Sequence, residues 1–277
     1  MTLPEARAAG RPLVMGVVNV TPDSFSDGGA WFTPEAAVAH GHELVAQGAD
    51  LLDIGGESTR PGAERPSAEE EQRRVLPVIE ELGSLVPVSV DTMRADVAAA
   101  ALDAGAVLVN DVSGGLADPD MAPLVAARRV PFVAMHWRGH SQDMQARAHY
   151  DDVVAQVIAE LSARVEALGA AGIGPADIVL DPGFGFAKLA HHNWELLRRL
   201  EELTAVGHRV LIGTSRKGFL GLVGRTPDTI RPPLGRDVAT AATSLYAAQC
   251  GVWAVRVHDV AGTVDTLDVA DALRATS

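Results

Sequence analysis

Eight short apolar runs in this chain each end on a polar residue, and no other feature limits its possible folds so strongly. Leu13 to Val18 precedes Asn19, Leu51-Leu52 precedes Asp53, Val86 to Val90 precedes Asp91, and Val107 to Val109 precedes Asn110. Phe132 to Met135 precedes His136, Ile178 to Leu180 precedes Asp181, Val210 to Thr214 precedes Ser215, and Trp253 to Val255 precedes Arg256 and His258. Continuous apolar runs of this length read as strands buried on both faces. A helical pattern separates almost every pair, so the strands are expected to be parallel. Eight such units in 277 residues predict a (β/α)8 TIM barrel, an α/β fold, formed by a single domain over residues 1–277. In that fold the C-terminal strand ends share one face, where active sites are built. The polar strand ends are therefore expected to form one site.

The helix signals agree. Thr33 with Pro34 opens a helix to about Gly48, and Ser67 with Glu70 opens one to about Leu82. Further helices are expected over Arg94 to Ala104, Pro119 to Arg128, Tyr150 to Gly169, His192 to Ala205, Arg236 to Gln249 and Gly262 to Arg274. The connections after strands one, two and five are long and polar, and that after strand six, 182–188, is glycine-rich. Long loops on the C-terminal face read as functional.

A formal net charge of −13 argues against a nucleic-acid surface. An anionic substrate would need local cations inside this negative field. One cysteine, Cys250, excludes an internal disulfide. No run reaches the length of a membrane span and residues 1–11 lack an apolar signal core, so a cytoplasmic protein with no membrane partner is expected.

Asp91, Asn110 and Asp181 end strands three, four and six. Two carboxylates and an amide facing one cavity suit a flat heterocycle with amino and ring N–H groups. A competing reading makes them caps of the following helices. Lys217, Arg256 and His258 follow strands seven and eight, the usual phosphate position in this barrel. Arg216 is open to an outward orientation. Asn19 offers a neutral oxygen that, together with phosphate oxygens, suits Mg²⁺. Asn19-Val20-Thr21 stands where metal hydrolases of this fold carry a His-x-His pair, and the nine histidines are not clustered. No dinucleotide or P-loop signature follows a strand.

The stretch from Asn19 to Gly29 resembles the first signature of dihydropteroate synthases, and Asp53 to Gly62 resembles the second. Asn110-Asp111-Val112-Ser113, Asp181 to Lys188, Ser215-Arg216-Lys217 and Arg256-Val257-His258-Asp259 are similar to the rest, in the same order. The resemblance implies condensation of 6-hydroxymethyl-7,8-dihydropterin diphosphate with 4-aminobenzoate, releasing pyrophosphate, with Mg²⁺ as cofactor and a homodimer as the assembly. It implies that Asp91, Asn110, Asp181, Lys217 and Met135 hold the pterin. Asn19, Arg256 and His258 would hold the diphosphate, with Asn19 on the metal. Thr59, Arg60, Pro61, Phe186 and Ser215 would shape the aminobenzoate site. Phe25, Asp27, Lys217 and Arg256 would be the catalytic set. A pterin-dependent methyltransferase domain shares the barrel but needs no diphosphate groups; a non-catalytic paralogue would bind pterin without turnover.

Overall fold

The computed structural model describes residue 3 and residues 11–21, 33–58, 65–140 and 144–275. Eight parallel strands close into a barrel in sequence order: β1 (Leu13–Asn19), β2 (Leu51–Gly55), β3 (Val88–Asp91), β4 (Leu108–Asp111), β5 (Phe132–Met135), β6 (Ile178–Asp181), β7 (Arg209–Ile212) and β8 (Ala254–Val257). Helices α1 (Pro34–Ala46), α2 (Ala68–Leu82), α3 (Ala95–Asp103), α4 (Met121–Arg128) and α5 (Val153–Ala170) follow the first five strands. The chain continues through α6 (Ala190–Arg198), α7 (Leu200–Thr204), α8 (Gly218–Gly221), α9 (Asp237–Gln249) and α10 (Val260–Ala275). The expected (β/α)8 barrel is the fold observed.

The caps behave as the sequence indicates. Thr33 Oγ1 accepts the Ala36 N–H at 3.3 Å, and Ser67 Oγ accepts the Glu70 N–H at 3.2 Å. Helix boundaries move where a cap decides them. The helix expected from Tyr150 starts at Val153, because the Asp152 carboxylate accepts the Val154 and Ala155 N–H groups. The single helix expected over His192 to Ala205 is two, broken at Arg199 (φ −111°, ψ 30°). No glycine or proline marks that break. Arg199 instead reaches the Asp152 carboxylate at the head of α5 and Glu202 beside it, so tertiary contacts override local propensity. The short helix α8 has no periodic signal long enough to read.

Two apolar layers hold the barrel. Outward side chains pack against the helices in one continuous core that includes Val14, Val18, Leu52, Val90 and Val109. A smaller inner cluster fills the barrel: Leu13, Met15, Leu51, Leu108, Val133, Val179, Leu211, Trp253 and Ala254. Among the described residues, no helix is long and apolar enough to cross a membrane.

Candidate active site

Successive side chains on a strand face opposite sides, so the inner cluster dictates what stands above it. Two residues beyond Leu108 is Asn110; beyond Val133, Met135; beyond Val179, Asp181. Two beyond Leu51 is Asp53, and two beyond Ala254 is Arg256, with His258 two further on. Met15 leads through Val17 to Asn19, and Leu211 through Gly213 to Ser215. The same step of two that fills the barrel with apolar groups thus delivers polar groups to its C-terminal mouth. There all but the deeper Asp53 line one cleft of about 240 Å³. Asn19, Asp91, Asn110, Met135, Asp181, Phe186, Ser215, Lys217, Arg256 and His258 all face it. Phe25, Asp27, Thr59, Arg60 and Pro61 lie outside the described residues.

The floor of the cleft is an ion cluster. Arg256 donates from Nε to Asp53 Oδ2 at 2.6 Å and from Nη2 to Asp91 Oδ2 at 2.9 Å. Asn110 Nδ2 donates to the same Asp53 oxygen at 3.0 Å. Burial works against the Arg256 charge, but Asp53 and Asp91 outweigh it and hold the guanidinium firmly protonated. Burial and the neighbouring Asp53 charge push the Asp91 carboxyl well above its ordinary range, against the pull of Arg256. Asp181 is likewise raised, by burial first, and is opposed by the Gly183 N–H that its Oδ1 accepts at 2.7 Å and by Lys217.

Lys217 stands over the Phe186 ring, with Nζ 4.0 Å from the centroid. Burial, with Arg256 nearby, lowers its ammonium to about 8, while Asp181 and Asp91 resist. The loop carrying Phe186 must pass very close to this lysine. A Cβ on Gly185 would lie 2.9 Å from Lys217 Cδ, at a φ of +80°. His258 is held at both ends of Ser215: its backbone N–H donates to Ser215 Oγ at 3.1 Å, and its Nδ1 lies 2.8 Å from that oxygen. In the tautomer that carries its proton on Nε2, Nδ1 accepts the Ser215 hydroxyl and Nε2 offers a neutral donor to an anion in the cleft. Burial first, then Arg216, Arg256 and Lys217, drive the imidazole well below its usual range.

The places of His136 and Asp53 need correction, the outward orientation left open for Arg216 is the one observed, and the roles of Asp53 and Lys188 were missed. His136 does not end strand five inside the cleft. It follows Met135, whose side chain takes the inward place, and so faces α5, where Nε2 meets Glu160 at 2.9 Å. Arg216 lines the cleft, yet its guanidinium is drawn outward by Asp237, at 2.7 and 2.9 Å. Asp53 does not end strand two. The strand runs on to Gly55, and Asp53 sits fully buried beneath the site, tying β4 to β8. Its apolar neighbours Leu51, Leu52 and Ile54 were the available signal, since a carboxylate inside such a run must have a partner. Lys188 is also buried, among backbone carbonyls; nothing in its exposed-looking sequence context signals this.

No group of three or more His, Cys, Asp or Glu side chains able to hold a metal occurs among the described residues. Mg²⁺ commonly keeps waters and rides on substrate phosphates with few protein ligands. The Asn19 amide, on the same cleft as Arg256 and His258, fits that mode.

Residues 15–258 match the family described as pterin binding enzyme. The chain is 54% identical to the dihydropteroate synthase of Mycobacterium leprae over 94% of this chain and 92% of that one. The Xanthomonas albilineans dihydropteroate synthase solved with 4-aminobenzoic acid superposes with a TM-score of 0.86 at 49% identity, covering 98% of this chain and 96% of its own. The same enzyme in complex with 7,8-dihydropteroate gives 0.84 at 47%, covering 98% and 99%. Yersinia pestis dihydropteroate synthase, in a sulfonamide drug complex, gives 0.91 at 40%, covering 99% and 100%. With its barrel and polar mouth alike, this chain belongs to the dihydropteroate synthase family of pterin binding enzymes.

Proposed function

We propose that this chain, folded as one domain, joins 6-hydroxymethyl-7,8-dihydropterin diphosphate to 4-aminobenzoate, forming 7,8-dihydropteroate and pyrophosphate. The observation that carries this reading is the pairing, in one cleft, of carboxylates for a heterocycle with cations for a leaving anion. Asp181, Asp91 and Asn110 accept from and donate to the pterin edge, with Met135 beneath the ring. Arg256, His258 and Asn19 meet the diphosphate, and the Asn19 amide oxygen would help to hold Mg²⁺. When bound, that ion neutralises charge building on the leaving group.

The C–O bond to the diphosphate breaks as charge develops at two places, the leaving oxygen and the pterin methylene. Arg256 and Lys217 stabilise the first. The carboxylates of Asp181 and Asp91 favour the cationic ring that remains. The amine of 4-aminobenzoate then forms the C–N bond and releases its proton. Phe186 and Ser215 shape the aminobenzoate side. Thr59, Arg60, Pro61, Phe25 and Asp27 keep their roles here on the motif resemblance alone. Exposed apolar side chains on α9 and α10, including Val238, Val269 and Leu273, support a homodimer, and the single cysteine fits a reducing, cytoplasmic setting. Pyrophosphate release that requires both 4-aminobenzoate and Mg²⁺ is the expected result. Pterin binding with no release would leave a pterin-binding protein and no synthase.

The cations divide the labour. Arg256 pairs with Asp91 in this structure, so it competes for a pterin acceptor until the diphosphate draws on its remaining N–H groups. Arg256→Lys is expected to lose pyrophosphate affinity, because an ammonium lacks the planar fork. It should hold bare hydroxymethylpterin at least as well as the parent. Lys217→Ala should weaken both ligands, since Lys217 stands between them. Calorimetry on the two variants decides; equal loss of bare pterin in both would refute the division.

A further inference from the structure

We infer that Lys188 is a positioning residue for the aminobenzoate side of the cleft, acting by fixing the loop that carries Phe186. This rests on the activity proposed above. Lys188 is 3% exposed and contacts no cleft space. Its Nζ donates to Gly183 O at 3.1 Å and to Phe186 O at 3.2 Å, and lies 3.0 Å from His136 Nδ1. Three acceptors match the three protons of an ammonium. Two belong to the loop itself, so one buried charge pulls the loop closed around its own side chain.

The loop needs such a tie. Gly183, Gly185 and Ala187 all have positive φ (68°, 80° and 47°), and a Cβ on Gly183 would lie 2.7 Å from His136 O. Ala187 is held in a region that L residues rarely adopt. Its carbonyl accepts the Tyr150 hydroxyl at 3.0 Å, and Asn193 accepts the Gly185 N–H at 2.7 Å. His136 is tied from the far side by Glu160, which Arg138 also grips. The chain of contacts thus runs from α5 through His136 and Lys188 to Phe186, and from Phe186 to the Lys217 ammonium on its ring.

The groups facing Lys188 are mixed in sign. Asp181 and Glu160 favour its charge; Arg138 and Lys217 oppose it, with His136 and His192 beside it. Burial dominates and lowers the ammonium to about 7. Burial, then Lys188, lowers His136 to about 4, so the imidazole is a neutral acceptor at Nδ1. Above neutrality Lys188 becomes an amine with two protons for three acceptors, and the tie loosens.

Lys188→Met keeps the stem and removes the charge. In folded protein, KM for 4-aminobenzoate should rise about tenfold or more, with a smaller fall in kcat, as expected when a wall shifts and the reacting groups remain. Hydroxymethylpterin affinity should change far less, and faster amide exchange should be confined to residues 183–188. In the unaltered protein the same KM should climb as pH rises through about 7, and Lys188→Met should flatten that climb. Lys188→Gln serves if the methionine variant does not fold. An unchanged KM in either folded variant, or equal losses for aminobenzoate and pterin, overturns the proposal. Absence of turnover by the unaltered protein would instead refute the proposed activity.

Discussion

Asp181→Ala is expected to weaken hydroxymethylpterin binding by roughly one to two orders of magnitude, about 1.5–3 kcal/mol for losing a hydrogen bond to a charged group. Asp181 is almost fully buried, and one of its oxygens is engaged by the Gly183 N–H. The other is available to a ring N–H. Alanine removes both, so part of any loss could arise from the loop. Asp181→Asn separates the two effects: its amide oxygen can still accept from Gly183, while its NH₂ faces the ligand with a donor where an acceptor is needed. Both variants should lose pterin, and the asparagine variant should keep its melting temperature. Calorimetry giving parent-like affinity for Asp181→Asn would remove Asp181 from the pterin site.

The second large effect is expected beneath the substrate. Asp53 holds Arg256 and Asn110 from a fully buried position beneath the cleft. Asp53→Asn should therefore lower kcat/KM by about 100-fold, the scale of a displacement near 1 Å in a reacting group. Asp53→Ala should in addition lose stability, up to about 3–5 kcal/mol, because Arg256 keeps only Asp91 as a buried partner. The pH behaviour has a definite sign. Asp91 is raised in the folded state, so its contribution to stability is present at low pH and is lost as pH rises through the folded value. The Asp53 charge is one cause of that rise. Removing it in Asp53→Asn should reduce the stability lost as pH rises from the ordinary carboxylate range to about 8. Denaturant melts of parent and variant across pH test this, and identical pH slopes would show that Asp53 and Asp91 do not interact.

Much of the fold and of the cleft was legible because a strand buried on both faces has a simple grammar. Apolar runs ending in Asn110, Asp181 or Arg256 place those groups at the barrel mouth by the same alternation that fills its interior. What could not be read depends on contacts between segments far apart in sequence. Asp53 sits before an apolar continuation that only the barrel register with Val17 and Ser89 explains. Lys188 looks like an ordinary loop lysine until the loop folds back over it. His136 resembles the other strand-end polar residues and differs from them by one position, which reverses its direction. The Arg199 break has no local signal, since its cause is a partner in another element, and α8, at four residues, is too short to carry a periodic one.

The alternation inside the barrel gives the strands a frame of two that the loops lack. In β4, Leu108 and Asn110 point inward while Val109 and Asp111 point outward. A one-residue deletion before Asn110 would turn it toward the helices. It would also bring Asp111 into the cleft, away from the Ser113 and Gly115 N–H groups it now accepts. A change of two residues would keep every side chain on its side. Length variation in this protein is therefore graded by parity in the strands and free of parity in the connections, so the chemistry at the mouth rests on a count as much as on composition.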